Sequence, residues 1–212
     1  MRIIIGDTET TGLPPKGWKR EDGFPETYRC VEMAWMEVDD QLNVLRTGDT
    51  LIDPLCAIPP GATEIHGIRD DQVLTAPTLD EYRDVVLGGY AKEPCVLIAH
   101  NVSFDFPFFA EVFNVQKTFC TLALARHALP RVKNHKLQTL REALGIQSDG
   151  TAHRAAGDLD VLRQMLLKLI PGAGRGIQQH LDTPVRMLST MPFGKHKGWP
   201  IGLVPKPYRD WL

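Results

Sequence analysis

The chain has 212 residues, 43% hydrophobic and 24% charged, with a formal net charge of −2, a balance that suits one full-sized globular core plus a small appendage. No apolar run approaches the ~20 residues that a membrane-spanning helix needs, and the N-terminus meets a carboxylate, Asp7, after three isoleucines, so a soluble, cytoplasmic protein with no membrane partner is expected. Cys30, Cys56, Cys95 and Cys120 are widely spaced with no C-x-x-C pair, which fits reduced thiols and argues against a disulfide scaffold or a zinc site.

Arg2-Ile-Ile-Ile-Gly6 is a β-branched run that reads as a strand buried on both faces, with Asp7 and Glu9 at or just past its end. Leu13 to Arg29 has no periodicity and reads as an inserted surface loop. Cys30–Val38 and Val44–Ile52 read as two further strands of an antiparallel meander. Thr78-Leu-Asp-Glu81 is a capping box, and Leu79, Tyr82, Val85 and Val86 trace a helical stripe behind it. Cys95–Ala99 is the next buried strand. Pro107 belongs in the first turn of the helix that follows, which puts Asp105 near that helix N-terminus. Leu137, Leu140 and Leu144 mark a helix stopping at Gly145, and Leu159, Leu162, Leu166, Leu169 and Ile170 mark one ending before Pro171.

Residues 173–182 read as a linker: Pro171-Gly-Ala-Gly-Arg-Gly176 follows a helix and lacks the last glycine of a dinucleotide-binding loop. Residues 183–212 then form a small basic and aromatic module. They hold five basic residues against one acid, a balance of +4, which leaves −6 for residues 1–182. Phe193, Trp199, Tyr208 and Trp211 can form a hydrophobic clasp. Equally, Lys195, Lys197 and Trp199 can form a nucleic-acid contact, since lysines beside aromatics combine phosphate attraction with base stacking.

Acidic residues cluster in three places: Asp7-Thr-Glu9, Asp105 after His100-Asn101, and His153-x4-Asp158. On an extended backbone residues i and i+2 face the same way, so Asp7 and Glu9 can address one cavity. In an ideal helix residues five apart point about 140° away from each other, so His153 must occupy the loop before the helix that carries Asp158. Cleaving a phosphodiester at neutral pH needs an activated water and a stabilised leaving oxygen, and two divalent ions supply both. A donor set of carboxylates without cysteine favours Mg²⁺ or Mn²⁺.

Asp7-Thr-Glu9-Thr-Thr-Gly12-Leu13 behind a hydrophobic strand, His100-Asn101-Val-Ser-Phe104-Asp105, and His153-Arg-Ala-Ala-Gly-Asp158 together resemble the DEDDh 3′→5′ exonuclease family, DnaQ-like members of the RNase T superfamily, in all three motifs and in their order. Gly61–Ile68, Cys120–Arg126 and Lys136–Gly145 resemble the family's connecting segments, so the likeness spans about residues 1–170 and implies an exonuclease domain over 1–172. The resemblance implies an α/β, ribonuclease H-like fold: a mixed five-stranded sheet, three strands antiparallel, flanked by helices.

It also implies that Asp7, Glu9, Asp105 and Asp158 hold two divalent ions, Mg²⁺ or Mn²⁺, and that His153 is the general base. Thr10, Thr11, Gly12, Leu13, Asn101 and Phe104 fall where the family holds the terminal nucleotide, with Leu13 as a wedge. The tail, Phe193-Gly-Lys-His-Lys-Gly198 with Tyr208-x-x-Trp211-Leu212, is similar to the C-terminal module of the exodeoxyribonuclease X branch, which implies DNA with a free 3′ end as substrate, in repair or proofreading. Two alternatives stay open: an exoribonuclease, and a non-catalytic, polymerase-associated binding module. His100 reads as a hydrogen-bonding structural residue, and Phe106, Phe108 and Phe109 as core. Asp160 fits the spacing to His153 less well than Asp158.

Overall fold

The computed structural model describes residues 1–147, 155–170 and 173–181. Five strands form one sheet: β1 (Arg2–Thr10), β2 (Cys30–Val38), β3 (Val44–Leu51), β4 (Cys95–Ala99) and β5 (Val115–Cys120), in the order β3-β2-β1-β4-β5. β1 pairs antiparallel with β2 and parallel with β4, β2 pairs antiparallel with β3, and β4 pairs parallel with β5. The mixed sheet with three antiparallel strands is the expected one. Ile3, Ile4 and Ile5 are all buried because β1 is central and covered on both faces. β3, at an edge, is mostly exposed.

Eight helices lie among the described residues: α1 (Pro60–His66), α2 (Asp70–Val73), α3 (Leu79–Glu81), α4 (Val102–Val112), α5 (Thr121–Ala128), α6 (Leu137–Ala143), α7 (Ala155–Leu169) and α8 (Gln178–Leu181). α4 packs on β1, β4 and β5, while α7 packs on β1 and β2 and is flanked by α5 and α6. The α4 face of the core gathers Ile4, Met33, Trp35, Leu97, Phe108 and Phe109. Gly6 permits the closest approach: a Cβ there would meet the Phe109 ring at 2.3 Å. None of the described helices is long and apolar enough to cross a membrane.

Several expectations need correction. Asp7 and Glu9 lie inside β1, because β2 goes on pairing through Glu9↔Glu32. The next pair is Thr10↔Cys30, so Val31 is an extra residue in β2, and such a bulge sharpens the local twist beside the acidic pair. α4 begins at Val102, which leaves Pro107 inside the helix and not in its first turn. Its start is set by Asn101, whose left-handed conformation (φ 69°) turns the chain sharply out of β4.

The capping box at Thr78–Glu81 forms, but the helix then widens into a π-turn over Tyr82–Leu87. That extra residue per turn rotates the stripe, so Tyr82 is buried while Val85 and Val86 are 79% and 61% exposed. The stretch 14–29 lies mostly on the surface, as expected, but aromatic residues anchor it. Phe24 stacks on Phe108 at 4.7 Å between centroids, Tyr28 meets Phe108 edge-on at 4.8 Å, and Tyr28 donates its hydroxyl proton to the Phe104 carbonyl. In the segment expected as a linker, Ala173–Arg175 is a 3₁₀ turn leading into α8, and the N–H groups of Ile177 and Gln178 bond to Asp40 at 2.7 Å each. Two long-range hydrogen bonds thus tie this glycine-containing segment to the turn after β2.

Candidate active site

β1 and β4 run parallel, so their carboxyl ends open on the same side of the sheet, where open α/β folds place ligands. A cavity of about 310 Å³ lies there, lined in part by Asp7, Glu9, Asn101, Phe104, Asp105 and Asp158. Four carboxylates from three distant stretches of the chain therefore share one space. A larger cleft of about 440 Å³ beside Trp35, Arg46, Tyr82 and Tyr90 contains a single acid, Asp49, and lacks the paired groups that hydrolysis needs.

Asp105 sits in the first turn of α4 and Asp158 in the first turn of α7, where the partial positive charge of each helix N-terminus favours a carboxylate. Asp105 is 2% exposed, and its Oδ1 accepts from the Thr8 backbone N–H at 3.1 Å and the Thr8 hydroxyl at 2.8 Å. Asp158 Oδ1 accepts from Gln138 Nε2 at 2.8 Å. Asp160 is held elsewhere, by Arg163 at 3.0 Å and Gln164 at 2.7 Å. Burial pushes the Asp7 carboxyl well above the usual carboxylate range, and the charges of Asp105, Asp158, Glu9 and Glu32 push it further. Burial also raises Asp105, against the hydrogen bonds from Thr8 that favour its charged form.

His100 ends β4 as a brace, as expected. Its Nε2 faces the His135 carbonyl at 2.7 Å and so carries the proton, leaving Nδ1 to accept from the Thr121 hydroxyl at 3.0 Å. Burial holds this imidazole below its ordinary pKa. The brace fixes the chain before α6, so that Lys136 and then Leu137, Gln138 and Thr139 of α6 line the cavity wall.

Of the residues expected to hold the terminal nucleotide, Asn101 and Phe104 line the cavity, whereas Thr10, Thr11, Gly12 and Leu13 do not. The Thr10 hydroxyl donates to the Gly12 carbonyl at 2.7 Å and that of Thr11 to Glu26 at 2.7 Å, so both shape the exit from β1, and Leu13 projects beyond it, 77% exposed. His153, Lys195, Lys197 and Trp199 lie outside the described residues.

Glu32 escaped the sequence reading. It is 1% exposed, lies opposite Glu9 in the β1–β2 ladder, and its Oε2 accepts from the Ala155 N–H at 2.9 Å. An acid within the apolar run Cys30–Val38 was the available signal. Thr8 and Gln138 carried none.

Among the described residues no three His, Cys, Asp or Glu side chains are gathered tightly enough to grip an ion as they stand. The donor set nonetheless fits hard divalent cations: it is all oxygen, and burial raises both Asp7 and Asp105, with the neighbouring carboxylates raising Asp7 further.

A mixed sheet of this order, with carboxylates brought from β1, α4 and α7 to one cavity, defines a ribonuclease H-like exonuclease. The RNase_T profile, described as Exonuclease, matches residues 4–166. The chain belongs to this family, as a 3′→5′ exonuclease of the DEDDh class, whose members generally use divalent metal ions.

It is 31% identical to the DNA polymerase III subunit epsilon of Salmonella typhimurium over 190 residues, covering 81% of this chain and 72% of that one. It is also 31% identical over 181 residues to a DNA polymerase III subunit epsilon-like protein of Rhodobacter capsulatus, covering 81% of this chain but spanning only 24% of that relative's length. Among solved structures, exonuclease X in complex with 5′ overhanging duplex DNA superposes with a TM-score of 0.63 at 25% identity, over 85% of this chain and 98% of that one. The nuclease domain of 3′hExo, a DEDDh family member bound to rAMP, shares the fold with a TM-score of 0.61 at 16% identity, over 82% and 94%.

Proposed function

We propose that the protein removes nucleotides one at a time from the 3′ end of DNA and releases 5′-mononucleotides, with Mg²⁺ or Mn²⁺ as cofactor. The observation that carries this reading is the convergence of Asp7, Glu9, Asp105 and Asp158 on one cavity between two helix N-termini. These four carboxylates would hold two divalent ions, which supply water activation and stabilisation of the leaving oxygen. Asn101 and Phe104 position the terminal nucleotide, and Leu13, exposed at the exit from β1, wedges against its base. His153 takes the proton of the attacking water, a task suited to an imidazole pKa. The water oxygen bonds to phosphorus, the P–O3′ bond breaks, and the shortened strand keeps a 3′-hydroxyl.

DNA is favoured because the relatives in sequence are named as DNA polymerase III subunits and exonuclease X was solved with duplex DNA. Those names also support a cytoplasmic role in proofreading or repair. Residues 1–172 form the exonuclease domain in this reading, and 183–212 an accessory module whose Lys195, Lys197 and Trp199 contact nucleic acid.

A time course on matched 5′-labelled single-stranded DNA and RNA, each with Mg²⁺, Mn²⁺ or EDTA, tests the proposal. The expected result is a metal-dependent ladder that shortens from the 3′ end, faster on DNA. Faster cleavage of RNA would reassign the substrate. Binding without cleavage in every metal would leave only a binding module.

A further inference from the structure

The chain contains no acidic residue between Glu111 and Glu142, yet those thirty residues hold six cations: Lys117, Arg126, Arg131, Lys133, Lys136 and Arg141. In a protein with a net charge of −2, so one-sided a stretch is a surface feature with a direction. Its location gives that direction, because Lys136 shares the cavity wall with the four carboxylates.

The loop that carries Arg131, Lys133 and Lys136 is built rather than slack. Val132 donates its N–H to the Leu129 carbonyl at 3.2 Å, His135 Nε2 bonds to the same carbonyl at 3.0 Å, and Asn134 Oδ1 accepts from the Lys136 N–H at 3.0 Å. His100 then ties the loop to the end of β4 through the His135 carbonyl. At roughly 3.3–3.6 Å per extended residue, Lys133 lies within about 11 Å of Lys136 along the chain and Arg131 within about 18 Å.

All three side chains are exposed, and none forms an ion pair among the described residues. Elsewhere arginines find acids: Arg2, Arg20, Arg69, Arg83 and Arg163 each have a carboxylate oxygen within 3.0 Å. Cations held next to a catalytic cavity by a hydrogen-bonded loop, without an ion-pair partner among the described residues, are arranged for an external polyanion.

We propose that the loop Leu129–Lys136 is the track for the substrate strand's backbone: Lys136 at the cavity rim, then Lys133 and Arg131, take successive phosphates 5′ of the nucleotide being removed. This rests on the exonuclease reading above, and it assigns the main phosphate grip to the catalytic domain rather than to the basic tail. The partner is a single strand of nucleic acid long enough to leave the cavity. A trinucleotide has little backbone to lay along the loop.

The test compares the full-length wild-type chain with Arg131→Ala/Lys133→Ala and with Lys195→Ala/Lys197→Ala. Fluorescence anisotropy on a labelled twenty-nucleotide DNA strand reads binding across a salt series, and cleavage is followed on the same strand and on a trinucleotide. Single-strand binding loses about 0.7 in the slope of log K against log salt for each phosphate contact removed. The loop variant is therefore expected to lower the slope by about 1.4, to weaken binding of the long strand about tenfold at low salt, and to lose about ten times more kcat/KM on the long strand than on the trinucleotide. An unchanged slope in the loop variant overturns the track, as does a loss of slope in the tail variant alone. Wild-type protein that binds with this salt dependence but cleaves nothing would sink the exonuclease reading while leaving the track in place, so the two failures are distinct.

Discussion

Glu32 Oε2 accepts a hydrogen bond from the backbone N–H of Ala155 at 2.9 Å, and through that bond β2 holds the start of the helix that carries Asp158. Both residues are buried. The N–H groups of a helix's first turn have no intrahelical partner, and here one of them is satisfied by a side chain from the sheet. Ala155 opens α7 three residues before Asp158, so the contact bears on the turn that presents this carboxylate.

Glu32→Ala should cost about 1–3 kcal/mol of stability, the usual penalty for orphaning a buried donor, and should lower kcat more than it raises KM. Glu32→Gln keeps an acceptor oxygen and should recover most of both. Urea denaturation and steady-state kinetics on the three proteins check this. Equal losses in the two variants would count against the hydrogen bond.

Gln138→Leu should weaken catalysis without unfolding the protein, because the 2.8 Å bond to Asp158 orients a carboxylate that stays in place without it. A loss of about tenfold or more in kcat is expected, against a stability change within about 1.5 kcal/mol. Asp158→Ala should abolish cleavage altogether. Retained activity in purified Asp158→Ala would remove this residue from the site.

The metal-free protein should lose stability as the pH rises. Unfolded, Asp7 ionises near about 3.9, whereas in the fold burial and four neighbouring carboxylates raise its pKa. Between those two values the folded state retains a proton that the unfolded chain has released, so raising the pH through this window favours unfolding. Melting curves in EDTA from pH 4 upward should show the decline, and Asp7→Asn should flatten it.

Mg²⁺ or Mn²⁺ should reverse that loss. A ligand that binds only the folded state stabilises by about 2.7 kcal/mol at a hundred times its Kd, so Tm should climb with metal concentration at pH 7–8. Asp7→Asn and Asp105→Asn should blunt the response. A Tm indifferent to both metals would contradict the assignment of these carboxylates.

Gly6→Ala should cost about 1–3 kcal/mol or more through overpacking, since its Cβ would enter the Phe109 ring. Phe109→Leu in the same chain should recover part of that loss. The double-mutant cycle measures the coupling.

Much of this architecture was legible along the chain. The runs Arg2–Gly6, Cys30–Val38 and Cys95–Ala99, the capping box at Thr78 and the stop at Gly145 are contiguous patterns, and each is reproduced. Strand periodicity pointed Asp7 and Glu9 into one space, while only the resemblance of the three motifs to the DEDDh family joined Asp105 and Asp158 to that pair.

The rest depended on partners far apart in sequence. Only the β1–β2 register sets Glu32 against Glu9 and extends β1 past its acidic pair. Only the packing of Phe24 and Tyr28 on Phe108 anchors the surface stretch 14–29. The brace from His100 to His135, and with it the course of the basic loop, joins residues 35 apart. Local sequence determines which faces are apolar and where elements begin and end, while the register and long-range hydrogen bonds follow from which buried polar groups find partners once those faces have packed.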